Sequence, residues 1–188
     1  MTDVYQAFLD KAIALHKQEK YGEAEIIYNQ LLNRMPFEEG ITYLLADLYL
    51  RKDFNGLAIN LLSNLLQNNA QHAAAWCNLG CAFRKENEYD RAKQAWLRAI
   101  SVGGETVEVC NNFASLYADR ANPQMALQWI EKSLKLEPEN PKAMWGKALS
   151  LLSMKQWEEG WKCYEHRDRK STRLNSSHIQ KSRMPSSA

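Results

Sequence analysis

A small residue returns every 34 positions along this chain, at Ala24, Ala58, Ala92, Ala126 and Gly160. Each sits inside a related segment: YGEAEIIYNQLL, FNGLAINLLSNLL, YDRAKQAWLRAI, PQMALQWIEKSL and WEEGWKCYEHR. No insertion or deletion interrupts the series. A fixed period of this length requires a fold made of one supersecondary unit stacked on copies of itself. Within a unit, apolar residues recur at three- and four-residue spacing, as at Leu44, Leu45, Leu48 and Tyr49, which predicts amphipathic helices. Strand-like alternation is absent throughout the sequence. The small pairs Ala46/Ala58, Gly80/Ala92 and Ala114/Ala126 predict two antiparallel helices per unit in close approach. Gly80 in a helix costs about 1 kcal/mol relative to alanine, so its position implies a packing need. Turns are expected at Gly103-Gly104, Glu137-Pro138 and Asn140-Pro141, and Pro123 suits a first helical turn.

The marker residues of the third unit, AAAWCNLGCAFRKENEYDRA, are Trp76, Leu79, Gly80, Phe83, Tyr89, Ala92 and, further on, Ala99. They resemble the tetratricopeptide repeat (TPR) pattern. Ala114, Tyr117, Ala126 and Pro138 match in the fourth unit, and Ala12, Tyr21, Ala24, Tyr28 and Pro36 in the first. The second unit is weaker: it has Leu45, Ala46, Tyr49 and Ala58, with Ala70 where the closing proline would stand. Units of 5–38, 39–72, 73–106, 107–140 and an incomplete 141–167 are expected, making 1–167 one repeat array. The resemblance implies an all-α TPR solenoid of antiparallel helix pairs in a right-handed superhelix. It also implies a concave groove, lined mostly by the first helix of each pair, that binds a protein or extended peptide.

The formal charge of +2 hides an asymmetry. Residues 168–188 carry five basic side chains against Asp168 alone, which leaves 19 basic and 21 acidic residues in the first 167. A nucleic-acid partner would rest on the tail alone, and is not expected. No apolar run is long enough to span a bilayer, so no membrane partner is expected. The opening MTDVYQAFLDKAIALHK lacks a basic segment followed by an apolar core, and the four cysteines lack framework spacing. A cytoplasmic protein with reduced thiols is expected.

No nucleophile motif surrounds His16, His72 or His166, and no glycine-rich phosphate loop occurs. Glu158-Glu159 reads as a helix start, where acids complement the dipole. Cys77 and Cys81 lie one turn apart, but a zinc site needs four ligands and no fourth candidate stands nearby. Neither catalysis, metal nor cofactor is expected. Most aromatics follow the helical period and read as core; Trp145 is the exception, placed by its frame position toward the groove.

Asn78 and Asn112 occupy equivalent positions in the third and fourth units. They resemble the asparagine ladder of O-linked N-acetylglucosamine transferases, whose amides grip a peptide backbone. An ordinary solvated polar face is the alternative reading, and the matching positions Asp10, Leu44 and Gly146 do not extend the ladder. Arg84 and Lys85 lie at the rim, near Asn111, as candidates for acidic groups or as part of a solvated charged face. Tyr43 and Asp47 complete the expected surface. The carboxylate-clamp set of some TPR domains does not match, since Cys77 and Cys81 stand where clamp side chains belong.

The repeat frame fails after Arg167. DRKSTRLNSSH is similar to a translated short-read sequencing adapter, and SRMPSSA to its continuation, with Ile179, Gln180 and Lys181 fitting a barcode between them. Residues 168–188 are therefore expected to be non-native and disordered, the parent truncated in its fifth repeat, and the last helix to span Glu158–Arg167. WEEGWKCYEHR is similar to a GW-x-x-YE-x-R segment found ahead of glycosyltransferase-like domains in bacterial proteins. The alternative function is thus a substrate-recruiting N-terminal region of a larger enzyme.

Overall fold

A computed structural model describes residues 2–36 and 38–165. The expectations for His166, Arg167 and the adapter-like 168–188 lie outside the described residues. Those described are helical, without a strand among them. The order is α1 (Thr2–Lys17), α2 (Tyr21–Arg34), α3 (Glu39–Arg51), α4 (Asn55–Asn68), α5 (Ala73–Lys85), α6 (Tyr89–Gly103), α7 (Val107–Asp119), α8 (Pro123–Leu136) and α9 (Pro141–Ser153). Residues 157–165 are helical beyond that. The chain divides after Glu105 into two compact units.

One device ends the first helix of every pair. Glu19, Asp53, Asn87, Ala121 and Lys155, again 34 residues apart, take φ of 60°, 60°, 62°, 52° and 62°. The amide that follows each of them then reaches back: Lys20 N–H donates to Leu15 O (3.0 Å), Phe54 to Tyr49 O (2.9 Å) and Glu88 to Phe83 O (2.8 Å). Asn122 bonds Tyr117 O (2.9 Å) and Gln156 bonds Leu151 O (2.9 Å) in the same way. These left-handed residues with their long back-bonds satisfy carbonyls that a helix end leaves orphaned, and they reverse the chain tightly enough to pack the next helix antiparallel. Gly104, at φ 82°, closes α6 where no proline stands.

In the first unit, α1, α3 and α5 begin the pairs and α2, α4 and α6 complete them. Ala12, Ala24, Ala46, Ala58, Ala82 and Ala92 are all fully buried. Alanine at these crossings lets larger neighbours fill the space: Tyr28, Ile41, Leu48 and Leu62 have no exposed surface. Gly80 shows the limit of this closeness. Trp96 of α6 is fully buried over it and donates its indole N–H to Cys77 O at 3.0 Å. A Cβ on Gly80 would lie within 2.8 Å of Trp96 Cε2, inside the ring's contact distance. The packing need read from the sequence is this indole.

In the second unit, Ala114, Ala126, Ile130 and Ala143 form the core, with Tyr117, Trp129 and Leu134 against it. Phe113 and Trp129 stack at 4.1 Å and 10°. Asn122 and Asn140 accept the amides of Met125 (3.1 Å) and Ala143 (2.9 Å), so each proline-initiated helix is capped by the asparagine before it. Gly160 is buried, and a Cβ there would come within 2.7 Å of Leu152 Cδ2.

Candidate functional site

The expected site residues lie on the first helices of their pairs, α3 and α5 in the first unit and α7 and α9 in the second. In the first unit, Tyr43 of α3 is half-buried and its ring stacks on His72 at 5.2 Å and 28°. His72 is held in turn, because its Nδ1 accepts the Ala75 amide at 3.1 Å and caps α5. Asp47, one turn beyond Tyr43, accepts from Arg51 Nε at 2.9 Å. It also lies 3.4 Å from His16 Nε2, although that nitrogen has no aligned hydrogen bond.

Behind Asp47, His16 is buried with its Nδ1 3.4 Å from the Tyr28 hydroxyl. Burial pushes the His16 pKa below 6.5; Asp47 opposes that shift and Arg51 reinforces it. Burial, with help from the Asp47 charge, pushes the Tyr28 phenol up to about 12. A neutral imidazole and a neutral phenol thus sit beneath an ionised surface pair. His72 is engaged in capping and stacking.

Asn78 of α5 is only 7% exposed, and its Nδ2 is buried without a hydrogen-bond partner. Leaving such a donor unpaired costs about 1–3 kcal/mol. Arg84 is half-buried on the same helix. Lys85 makes contacts between repeats. Its ammonium donates to Leu50 O at 2.8 Å and pairs with Asp53, tying α5 to the end of α3. That carbonyl lies at the end of α3 and also accepts the Asp53 amide at 3.3 Å, so the lysine adds a second donor there and helps hold the pairs together.

In the second unit, Asn112 is 8% exposed. Its neighbour Asn111 is tied to other helices as Lys85 is. Its Oδ1 accepts from Ser133 Oγ at 2.8 Å and its Nδ2 donates to Asn140 Oδ1 at 3.3 Å. Ser133 is fully buried, so both ends of the Asn111 amide are used in joining α7 to α8 and to the cap of α9. Trp145 is half-buried and packs at 5.2 Å and 50° against Tyr164. Cys77 and Cys110 are buried, Cys81 and Cys163 half-buried, and none forms a disulfide. Among the described residues no three histidine, cysteine, aspartate or glutamate side chains gather to hold a metal, and no helix is long and apolar enough to cross a membrane.

Comparison with known proteins fixes the family. Residues 43–103 and 107–140 each match the pattern described as Tetratricopeptide repeat, and together they make up half of the chain. The chain belongs to the tetratricopeptide repeat family. Solved TPR-type structures agree in fold. The protein pilF of Pseudomonas aeruginosa superposes with a TM-score of 0.78 at 18% identity, covering 89% of this chain and 77% of that one. A thermophilic TPR protein of Thermus thermophilus superposes with a TM-score of 0.76 at 17% identity, covering 94% and 96%. A curated relative, Protein O-mannosyl-transferase Tmtc3 of Drosophila melanogaster, is 29% identical over 109 residues. That match spans 55% of this TPR chain but only 11% of the relative's length.

Two features carried little sequence signal. The His16–Asp47 contact joins residues 31 positions apart, and Lys85–Leu50 joins residues 35 apart. Both cross between successive repeats, and a period shows that repeats stack without showing which side chains meet.

Proposed function

We propose that this TPR chain binds a protein partner as an extended peptide laid against its first-helix faces, without chemistry of its own. The observation that carries this reading is the Asn78 amide. A buried donor without a partner is costly in the unbound protein, and turning the side chain outward onto a peptide carbonyl would remove the cost. Arg84 supplies positive charge on the same helix, and the Tyr43 ring with Asp47 borders it. Asn112 and Trp145 are proposed as contact residues of the second unit. Lys85 and Asn111 are proposed to support these faces through their ties to neighbouring helices.

An array of random short peptides, probed with the 188-residue chain, supplies ligands for the test. Asn78→Ala should weaken a selected peptide about fivefold, the worth of one hydrogen bond of ~1 kcal/mol, with helicity unchanged. Asn112→Ala should behave alike for peptides that engage the second unit. Selected peptides that bind both variants as tightly as the parent chain count against the reading.

A second reading has one observation in its favour. The likeness to an O-mannosyl-transferase, together with the WEEGWKCYEHR segment, supports a TPR region that recruits substrate for a larger glycosyltransferase. Sequencing the genomic locus past the Arg167 codon tests it, and an open reading frame without a catalytic domain refutes it.

A further inference from the structure

A cavity of about 620 Å³ lies in the first unit between α4 and α6, with α5 as its floor. Trp76, Leu79 and Phe83 supply the floor, and Arg91, Gln94 and Arg98 line one wall from a single face of α6. None of the lining residues is acidic. Arg91 is partly engaged, lying 4.0 Å over the Phe83 ring and 2.5 Å from Glu88. Arg98 is exposed, and its guanidinium makes no hydrogen bond or ion pair with any described residue. Gln94 on the same wall and Ser63 on the α4 side are likewise without side-chain partners among the described residues. The cavity thus combines an apolar aromatic floor with unused donors and an uncompensated positive charge.

We propose that this cavity is a second binding site, for an acidic segment of a protein partner, independent of the first-helix face. Charge complementarity selects the acid: a carboxylate would meet the planar Arg98 fork with two parallel hydrogen bonds. Spacing refines the choice. Arg91 and Arg98 are seven residues apart on α6, about 10 Å along its axis at ~1.5 Å per residue. A peptide in the polyproline II conformation covers about 9 Å in three residues and returns its side chain to the same face. The occupant is therefore a polyproline II segment with acids at i and i+3 and an apolar side chain between them beside Trp76. The same charge pattern argues for peptide over nucleic acid. Residues 1–167 carry 19 basic and 21 acidic side chains, so no broad positive field surrounds the cavity.

A fluorescein-labelled peptide GSGEAFEGSG, titrated into the 188-residue chain at low salt, tests the site by polarisation. GSGQAFQGSG and a short single-stranded oligonucleotide serve as comparison probes. Binding of the acidic peptide should weaken about fivefold in Arg98→Gln. It should weaken about tenfold or more in Arg98→Glu, where attraction becomes repulsion. Asn78→Ala should leave it unchanged, which separates this site from the first-helix face. Arg98 is exposed, so both variants should keep the parent circular dichroism. The proposal is overturned if the acidic peptide does not bind, if the glutamine peptide binds equally, or if the Arg98 variants bind like the parent. Tighter, Arg98-dependent binding of the oligonucleotide overturns it as well.

Discussion

Replacing Gly80 with alanine separates helix propensity from packing at the most crowded crossing in the first unit. Propensity alone favours the change by about 1 kcal/mol, because alanine is the better helix former. Packing opposes it. The new Cβ would stand within 2.8 Å of Trp96 Cε2, and the indole is fully buried, so the ring has no solvent to move into. Overpacking of this kind costs about 1–3 kcal/mol. If the ring shifts, the 3.0 Å bond from Trp96 to Cys77 O is lost as well, for about 1 kcal/mol. The balance is a net loss of about 1–3 kcal/mol. Urea unfolding followed by circular dichroism reads it directly. Gly56→Ala provides the control, since its added methyl meets no atom within 4 Å and should be neutral or stabilising by up to about 0.5 kcal/mol. In Gly80→Ala/Trp96→Phe, the smaller ring should make the double change less costly than the sum of the two. Equal or greater stability in Gly80→Ala would refute the claim that the indole dictates the glycine.

Three further outcomes follow from the fold. Burial depresses the His16 pKa, so the unfolded chain binds the proton more readily; stability should be fully present well above pH 6.5 and fall as pH drops through that value. His16→Gln should flatten that part of a urea-midpoint profile, and a parent midpoint unchanged between pH 8 and pH 5 would contradict it. Asn111→Ala strands the buried Ser133 hydroxyl and removes a partner of the α9 cap, and should cost about 1–3 kcal/mol in the same unfolding assay. Ala121→Gly relieves a left-handed backbone worth about 1–2 kcal/mol against a smaller entropic penalty, so its thermal midpoint should rise slightly rather than fall.

Much of the fold was legible because its causes are local. The 34-residue recurrence, the small residues at the crossings and the proline and glycine turns each act within one repeat, and the all-α helix pairs follow from them. Gly80 was readable as a packing site, though only the structure identifies Trp96 as the group it admits. The left-handed turns were not legible, since glutamate, aspartate, asparagine, alanine and lysine share no turn preference; the back-bond geometry, not the residue type, sets φ there. The site was legible more coarsely. Frame position places Asn111 and Asn112 side by side, yet the structure commits Asn111 to Ser133 and Asn140. Lys85 reads as a free rim charge in sequence and is a tie to Leu50 in space. Hydrogen-bond commitment depends on contacts between repeats, which one chain's sequence does not display. Arg98 drew no notice for the converse reason: a solvated arginine on an outer helix is common, and only its unpaired state beside an aromatic floor singles it out.

The central claim, that peptide binding completes an unpaired donor on the first-helix face, is tested most directly at the Asn78 side-chain amide itself. Proton–nitrogen spectra of the 188-residue chain, with the resonance assigned by its loss in Asn78→Ala, follow that amide during titration with an array-selected peptide. A downfield proton shift that saturates with peptide occupancy, as the amide gains a carbonyl acceptor, is the predicted result. An Asn78 amide unmoved at full occupancy would contradict the account.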